Sequence, residues 1–65
     1  MRDELVNALI KHAEGEVEKH RVNIEVYMRK VVGIGEHSDI VETLQKELDS
    51  LAAADDRLEM LKKYF

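Results

Sequence analysis

The sequence predicts an all-α protein, a two-helix antiparallel hairpin that pairs with a second copy to form a four-helix bundle. Two long segments carry apolar residues at helical spacing. A short interruption with two glycines, Gly33–His37, separates them. The 65 residues include no proline and only one phenylalanine, while 37% of them are charged. This composition is typical of long amphipathic helices, so we expect one helical-hairpin domain spanning residues 1–65.

The first helix is predicted over residues 3–32. Asp3 is the predicted N-cap, with Glu4 close to the positive end of the helix dipole. At 100° per residue, the apolar side chains of this segment form one broad stripe, which should face the core. The stripe consists of Leu5, Val6, Leu9, Ile10, Ala13, Val17, Ile24, Met28 and Val31.

The turn is predicted over residues 33–37 and the second helix over residues 38–64. Gly33 can adopt the left-handed conformation that ends a helix, and Ser38 is the predicted N-cap of the second helix. The apolar stripe of this helix consists of Ile40, Val41, Leu44, Leu48, Leu51, Ala54, Leu58, Leu61 and Phe65. Because the connection is so short, the two helices must lie side by side and antiparallel.

The size of the chain predicts self-association. A single core is marginal at this length without a disulfide, a metal or a partner chain, and there is no cysteine. Val22 and Val26 lie nearly opposite the main stripe, which favours a second contact surface, although scattered exposed valines are also ordinary. We expect a homodimer, with a tetramer left open. The expected interface residues are Leu5, Leu9, Val17, Val22, Ile24, Val26, Leu44, Leu48, Leu51, Leu58, Leu61 and Phe65.

His20 is the main candidate for chemistry, because it lies within the apolar stripe one turn from Glu16. A turn centred near residue 35 places it opposite residues 50 and 51, within about a turn of Asp55. A layer of Glu16, His20 and Asp55 could fix the register of the helices, or bind a metal or small ligand when doubled in a dimer. Solvent-exposed edge positions are the third interpretation. The Glu-x-x-His motif of di-metal bundles does not occur, so no cofactor is predicted.

Other classes of function have little support in the sequence. There is no Ser-His-Asp set and no cysteine nucleophile, so an enzyme is not predicted. The net charge of −4 argues against binding to nucleic acid or anionic lipid, which depends on neutralising phosphates. No apolar run approaches the ~18 residues of a membrane span, and the acidic start at Asp3 and Glu4 differs from a signal peptide. We therefore expect a cytoplasmic protein.

Several segments together resemble a known group of proteins. These segments are Gly33 to Asp39 and the closing Arg57 to Phe65, together with Arg2 to Leu5, Val22 to Tyr27 and Asp55-Asp56. The chain is similar there to small uncharacterised proteins of T4-like phages of marine cyanobacteria and to ocean metagenomic sequences. The resemblance implies a phage or environmental origin, with no known activity and no functional residue to carry over.

The chain departs from this group before the turn. The similar proteins often have proline ahead of the Val-Gly-Ile-Gly segment, where this chain has Val31. The leading functional prediction is a non-catalytic, self-associating interaction or accessory module. The alternatives are a metal- or small-ligand-binding bundle and a phage-encoded modulator of a host protein, which would act in the host cytoplasm.

Overall fold

The computed structural model describes residues 1–29 and 37–65, except the side chains of residues 37 and 38. Helix α1 spans Arg2–Arg29 and helix α2 spans His37–Tyr64, with 28 residues each. The two helices pack against each other along their lengths and form a rod of 51 × 14 × 13 Å. The prediction of an all-α, two-helix hairpin is confirmed. Residues 33–36 of the predicted turn, with Gly33, and the predicted end of the first helix at Val32 lie outside the described residues, as does the Ser38 side chain. Helix α2 begins at His37, so the last residue of the predicted turn is helical and the predicted N-cap position, Ser38, lies inside the first turn.

Helix α1 begins earlier than its predicted N-cap. The backbone N–H of Leu5 donates to the carbonyl of Met1 over 3.1 Å, which starts the helix one residue before Asp3. Asp3 and Glu4 therefore lie in the first turn, where their negative charges favour the positive end of the dipole. At the same end of the rod, an Arg2 Nη2–H donates to the backbone oxygen of Phe65 over 3.2 Å. This bond links the first turn of α1 to the end of α2.

The helices meet along a narrow seam of buried and half-buried side chains at alternating spacings of three and four residues. The seam consists of Val6, Ile10, Ala13, Val17, His20, Ile24 and Tyr27 from α1, and Ile40, Leu44, Glu47, Leu51, Ala54, Leu58 and Leu61 from α2. This spacing is the heptad repeat of coiled-coil packing.

The seam is narrower than the predicted apolar stripes. Leu5, Leu9 and Met28 of α1 are exposed, as are Val41 and Leu48 of α2. The terminal Phe65 is exposed as well. A contact between two helices with a 3.5-residue period covers only two positions in every seven. The predicted stripes are wider, as in helices that pack against more than one neighbour. Six of the predicted stripe residues therefore remain outside the contact between the two helices.

The contact of His20 with Glu47 shows the register of the hairpin. Ala13 lies seven residues before His20, and Ala54 lies seven residues after Glu47. Because the helices are antiparallel, these two alanines face each other across the seam. Among the described residues these are the two least exposed apolar side chains, at 0% and 2%. Small side chains at facing positions let two helices approach closely, so we expect tight packing at this layer.

Gly15 lies inside α1 with open space around it, since a Cβ built there meets nothing within 4 Å. We expect Gly15→Ala to raise the free energy of unfolding by about 1 kcal/mol, because glycine loses more backbone entropy than alanine on entering a helix. Urea denaturation followed by circular dichroism measures the change. The reverse substitution at the exposed Ala8 of the same helix, Ala8→Gly, should lower stability by a similar amount; unchanged stability in Gly15→Ala would contradict the prediction.

Candidate functional site

A group of four polar side chains crosses the seam near the middle of the hairpin. It consists of Glu16, His20 and Asn23 from α1 and Glu47 from α2, and is called the polar cluster below. The ring Nδ1 of His20 lies 2.7 Å from Glu47 Oε2, and its Nε2 lies 3.3 Å from Glu16 Oε2. Asn23 Nδ2 donates to both carboxylate oxygens of Glu47 over 3.3 Å. The helices are thus joined by a polar network as well as by apolar packing.

Helical spacing explains how the cluster assembles. His20 and Glu47 occupy seam positions of their own helices, so the register that pairs the seams brings them together. Glu16 lies one turn before His20 and Asn23 lies almost one turn after it, on the same open side of the seam. His20 is 12% exposed and Glu47 is 21% exposed. The cluster is half-buried, and no buried side-chain nitrogen or oxygen in the described part of the chain lacks a hydrogen-bond partner.

The two carboxylates meet different nitrogens of the His20 ring. A carboxylate only accepts hydrogen bonds, and a neutral imidazole donates from only one of its nitrogens. A protonated ring satisfies both partners at once. The hydrogen bond from His20 lowers the pKa of Glu47 below its usual 4.5, and the amide of Asn23 lowers it further, while partial burial opposes both.

Acid should destabilise the hairpin through Glu47. Because its native pKa lies below 4.5, the ionised carboxylate stabilises the fold fully above the unfolded value, and that stabilisation is lost as the pH falls through the native value. Urea midpoints measured between about pH 7 and pH 3 should decline in the acidic part of the range, and Glu47→Gln should flatten this decline. The matched control is Glu42→Gln, an exposed glutamate of the same helix. An equal effect of both substitutions would contradict a special role for Glu47.

The predicted polar layer differs from the observed cluster in register and in membership: Asp55 is absent from the cluster, and Asn23 and Glu47 were not predicted. Glu16 and His20 lie together as expected, whereas Asp55 is exposed and lies eight residues beyond Glu47, about 12 Å along α2. His20 faces Glu47 in place of residues 50 and 51, a shift of about one turn. The prediction paired residues at equal distances from a turn centred near residue 35. An error of one or two residues in that centre changes which residues face each other along the whole seam.

The described residues offer no metal centre. A metal bound at one nitrogen of His20 could be reached by only one of the two carboxylates, because Glu16 and Glu47 lie against opposite nitrogens. Across residues 1–29 and 37–65, no group of three or more histidine, cysteine, aspartate or glutamate side chains is placed to hold a metal ion.

The residues expected at interfaces divide into two groups. Val17, Ile24, Leu44, Leu51, Leu58 and Leu61 are buried or half-buried in the seam. Leu5, Leu9, Val22, Val26, Leu48 and Phe65 are between 43% and 68% exposed. The second group is available for contact with another chain.

Two depressions on the surface of the described residues are each lined by a single helix. One is lined by Arg21, Val22, Glu25, Val26 and Arg29 of α1. The other is lined by Asp55, Leu58, Glu59, Lys62 and Lys63 of α2. Because each is formed by one helix, neither brings together side chains from separate elements.

Neither α1 nor α2, the helices of the described part of the chain, combines the length and apolar character needed to cross a membrane. Comparison with protein-family models, curated proteins and solved structures gives no match for this chain.

Proposed function

We propose that this protein is a non-catalytic interaction module that works as a homodimer, in which two hairpins pack into an antiparallel four-helix bundle. The proposal rests chiefly on the surface that the single hairpin leaves in contact with water.

The hairpin exposes 5134 Å². A folded monomer of 7.5 kDa usually exposes about 4,200 Å², so this chain exposes about 900 Å² more. A standard protein–protein interface buries about 800 Å² on each partner. Burial of one such face against a second copy would therefore bring the exposed area of each chain close to that of an ordinary small domain.

The kind of exposed surface supports the same proposal. Among the residues whose burial the structure describes, only four apolar residues are buried, and two of them are the alanines Ala13 and Ala54. Ten large apolar side chains in the same part of the chain are more than 40% exposed. Large exposed apolar side chains on either flank of the seam offer surface for packing against another chain, and the polar cluster would give such a bundle a fixed register.

Sedimentation equilibrium of the full chain tests the proposal. We expect a mass of about twice the 7.5 kDa of the chain at micromolar concentration, and a melting temperature that rises with protein concentration because folding and association are linked. A well-folded species of 7.5 kDa, with a melting temperature independent of concentration, would rule out the dimer.

A further inference from the structure

The hairpin has two open sides, one on each flank of the seam. On α1 the residues of the Leu9 side follow steps of four and then three residues, from Leu5 through Leu9 to Val26. On α2 they follow steps of three and then four residues, from Thr43 through Lys46 to Tyr64. The residues of the Leu48 side follow steps of four and then three residues on both helices, from Asn7 to Met28 on α1 and from Val41 to Lys62 on α2. Each side therefore draws the same number of positions from each helix, and the two can be compared directly.

The two sides differ in charge. The Leu9 side carries four charged residues, namely Glu16, Lys19, Lys46 and Arg57. The Leu48 side carries eight, five of them on α1 between Lys11 and Glu25 and three on α2 between Asp55 and Lys62. Taking charges out of water is costly, and the centres of protein interfaces are depleted of them. The Leu9 side therefore costs less to bury.

The charges on the Leu9 side are also easier to accommodate. Glu16 is already paired with His12 and His20 within the hairpin. The other three are lysine and arginine side chains, whose long stems can lie along an apolar surface while the charged ends stay in water.

Apolar content and burial point to the same side. The Leu9 side has six apolar residues, namely Leu5, Leu9 and Val26 of α1 and Ala53, Met60 and Tyr64 of α2. The Leu48 side has four, namely Met28, Val41, Leu48 and Ala52. Every residue of the Leu48 side is exposed. On the Leu9 side, Glu16 and Asn23 are already half-buried, as are Thr43 and Met60, so a partner there would extend a surface that is partly closed.

We propose that the second copy of this chain docks on the Leu9 side, so that the polar cluster lies near the middle of the dimer contact. This inference rests on the proposed function, because it assigns a face to the dimer. The Leu48 side then forms the outer, water-facing surface of the bundle.

A matched pair of leucines tests the assignment. Leu9 and Leu48 are 51% and 49% exposed in the hairpin, so glutamate at either position should disturb the seam equally little. In sedimentation equilibrium, Leu9→Glu should raise the dimer dissociation constant by at least about 30-fold, the effect of losing one interface hot spot, while Leu48→Glu should change it by less than about threefold. A larger effect of Leu48→Glu, or equal effects of both, would overturn the assignment.

Thiol reactivity gives a second measurement that does not depend on a disruptive substitution. The chain has no cysteine, so Leu9→Cys and Leu48→Cys each introduce a single thiol. As protein concentration is raised through the dissociation constant, alkylation at Leu9→Cys should slow by at least about tenfold, because that thiol becomes buried, while alkylation at Leu48→Cys stays constant. Slowing at Leu48→Cys alone would overturn the assignment.

The two proposals can fail separately. A wild-type chain that remains a monomer removes the proposed function, and the assignment of a dimer face falls with it. A wild-type dimer that tolerates Leu9→Glu and dissociates with Leu48→Glu keeps the proposed function and moves the contact to the other side.

Discussion

Replacing Ala13 with leucine should lower the free energy of unfolding by roughly 1–3 kcal/mol, the usual cost of forcing extra methylene groups into a packed site. Ala13 is fully buried, and the facing Ala54 is only 2% exposed. A larger side chain at this layer has no room unless the helices move apart, and that movement would weaken the contacts in the neighbouring layers. For a domain of this size, the melting temperature should fall by about 4–8 °C for each kcal/mol lost.

The control for this prediction is the same substitution at an exposed alanine of the same helix. Ala8→Leu adds the same atoms where they meet solvent, and leucine is nearly as good a helix former as alanine, so its stability should stay within about 0.5 kcal/mol of the wild type. Thermal and urea unfolding at one protein concentration measure both variants. Equal stability of Ala13→Leu and Ala8→Leu would show that the alanine layer is not tightly packed.

Breaking the contact between His20 and Glu47 should destabilise the hairpin, whereas replacing both residues with leucine should stabilise it. His20→Leu leaves the half-buried carboxylate of Glu47 with Asn23 as its remaining hydrogen-bond partner in the cluster. In the double variant, His20→Leu with Glu47→Leu, two apolar side chains fill the layer, and burying a leucine contributes up to about 1.5–3 kcal/mol. The melting temperature should therefore fall in the single variant and rise above that of the wild type in the double variant.

The same pair of variants separates stability from specificity. If the polar cluster fixes the register, the double variant should populate more than one assembly, seen as additional species in native mass spectrometry or broadened amide resonances, while the wild type shows a single form. If the double variant is more stable and still forms a single assembly, the apolar layers specify the register without the cluster.

The sequence predicted the fold because its strongest signals are local. The alternating three- and four-residue spacing of apolar side chains, interrupted once by glycines, is sufficient for two antiparallel helices. The exact facing pairs were harder to predict, because they depend on the geometry of the connection. Glu47 was missed for that reason, although the spacing Ile40, Leu44, Leu51 and Ala54 leaves a seam position at residue 47.

The role of the apolar residues was predicted less well than their helical positions. Leu5, Leu9 and Leu48 have the same side-chain chemistry as Leu44 and Leu61, and hydropathy does not separate a residue of the seam from one beside it. The distinction comes from the number of helices that meet, since two helices cover a narrower strip of each surface than four. That number is a property of the assembly.

The position of the polar cluster along the seam also limits how the helices can slide past each other. A slip by one heptad keeps apolar residues against apolar residues at most levels, so hydrophobic packing alone discriminates weakly against it. In such a slipped pairing His20 would face Ala54 or Ile40, and Glu47 would face Tyr27 or Ala13. Each misaligned form separates His20 from Glu47 and places the imidazole against an apolar side chain, so a single polar layer specifies the alignment of the whole rod.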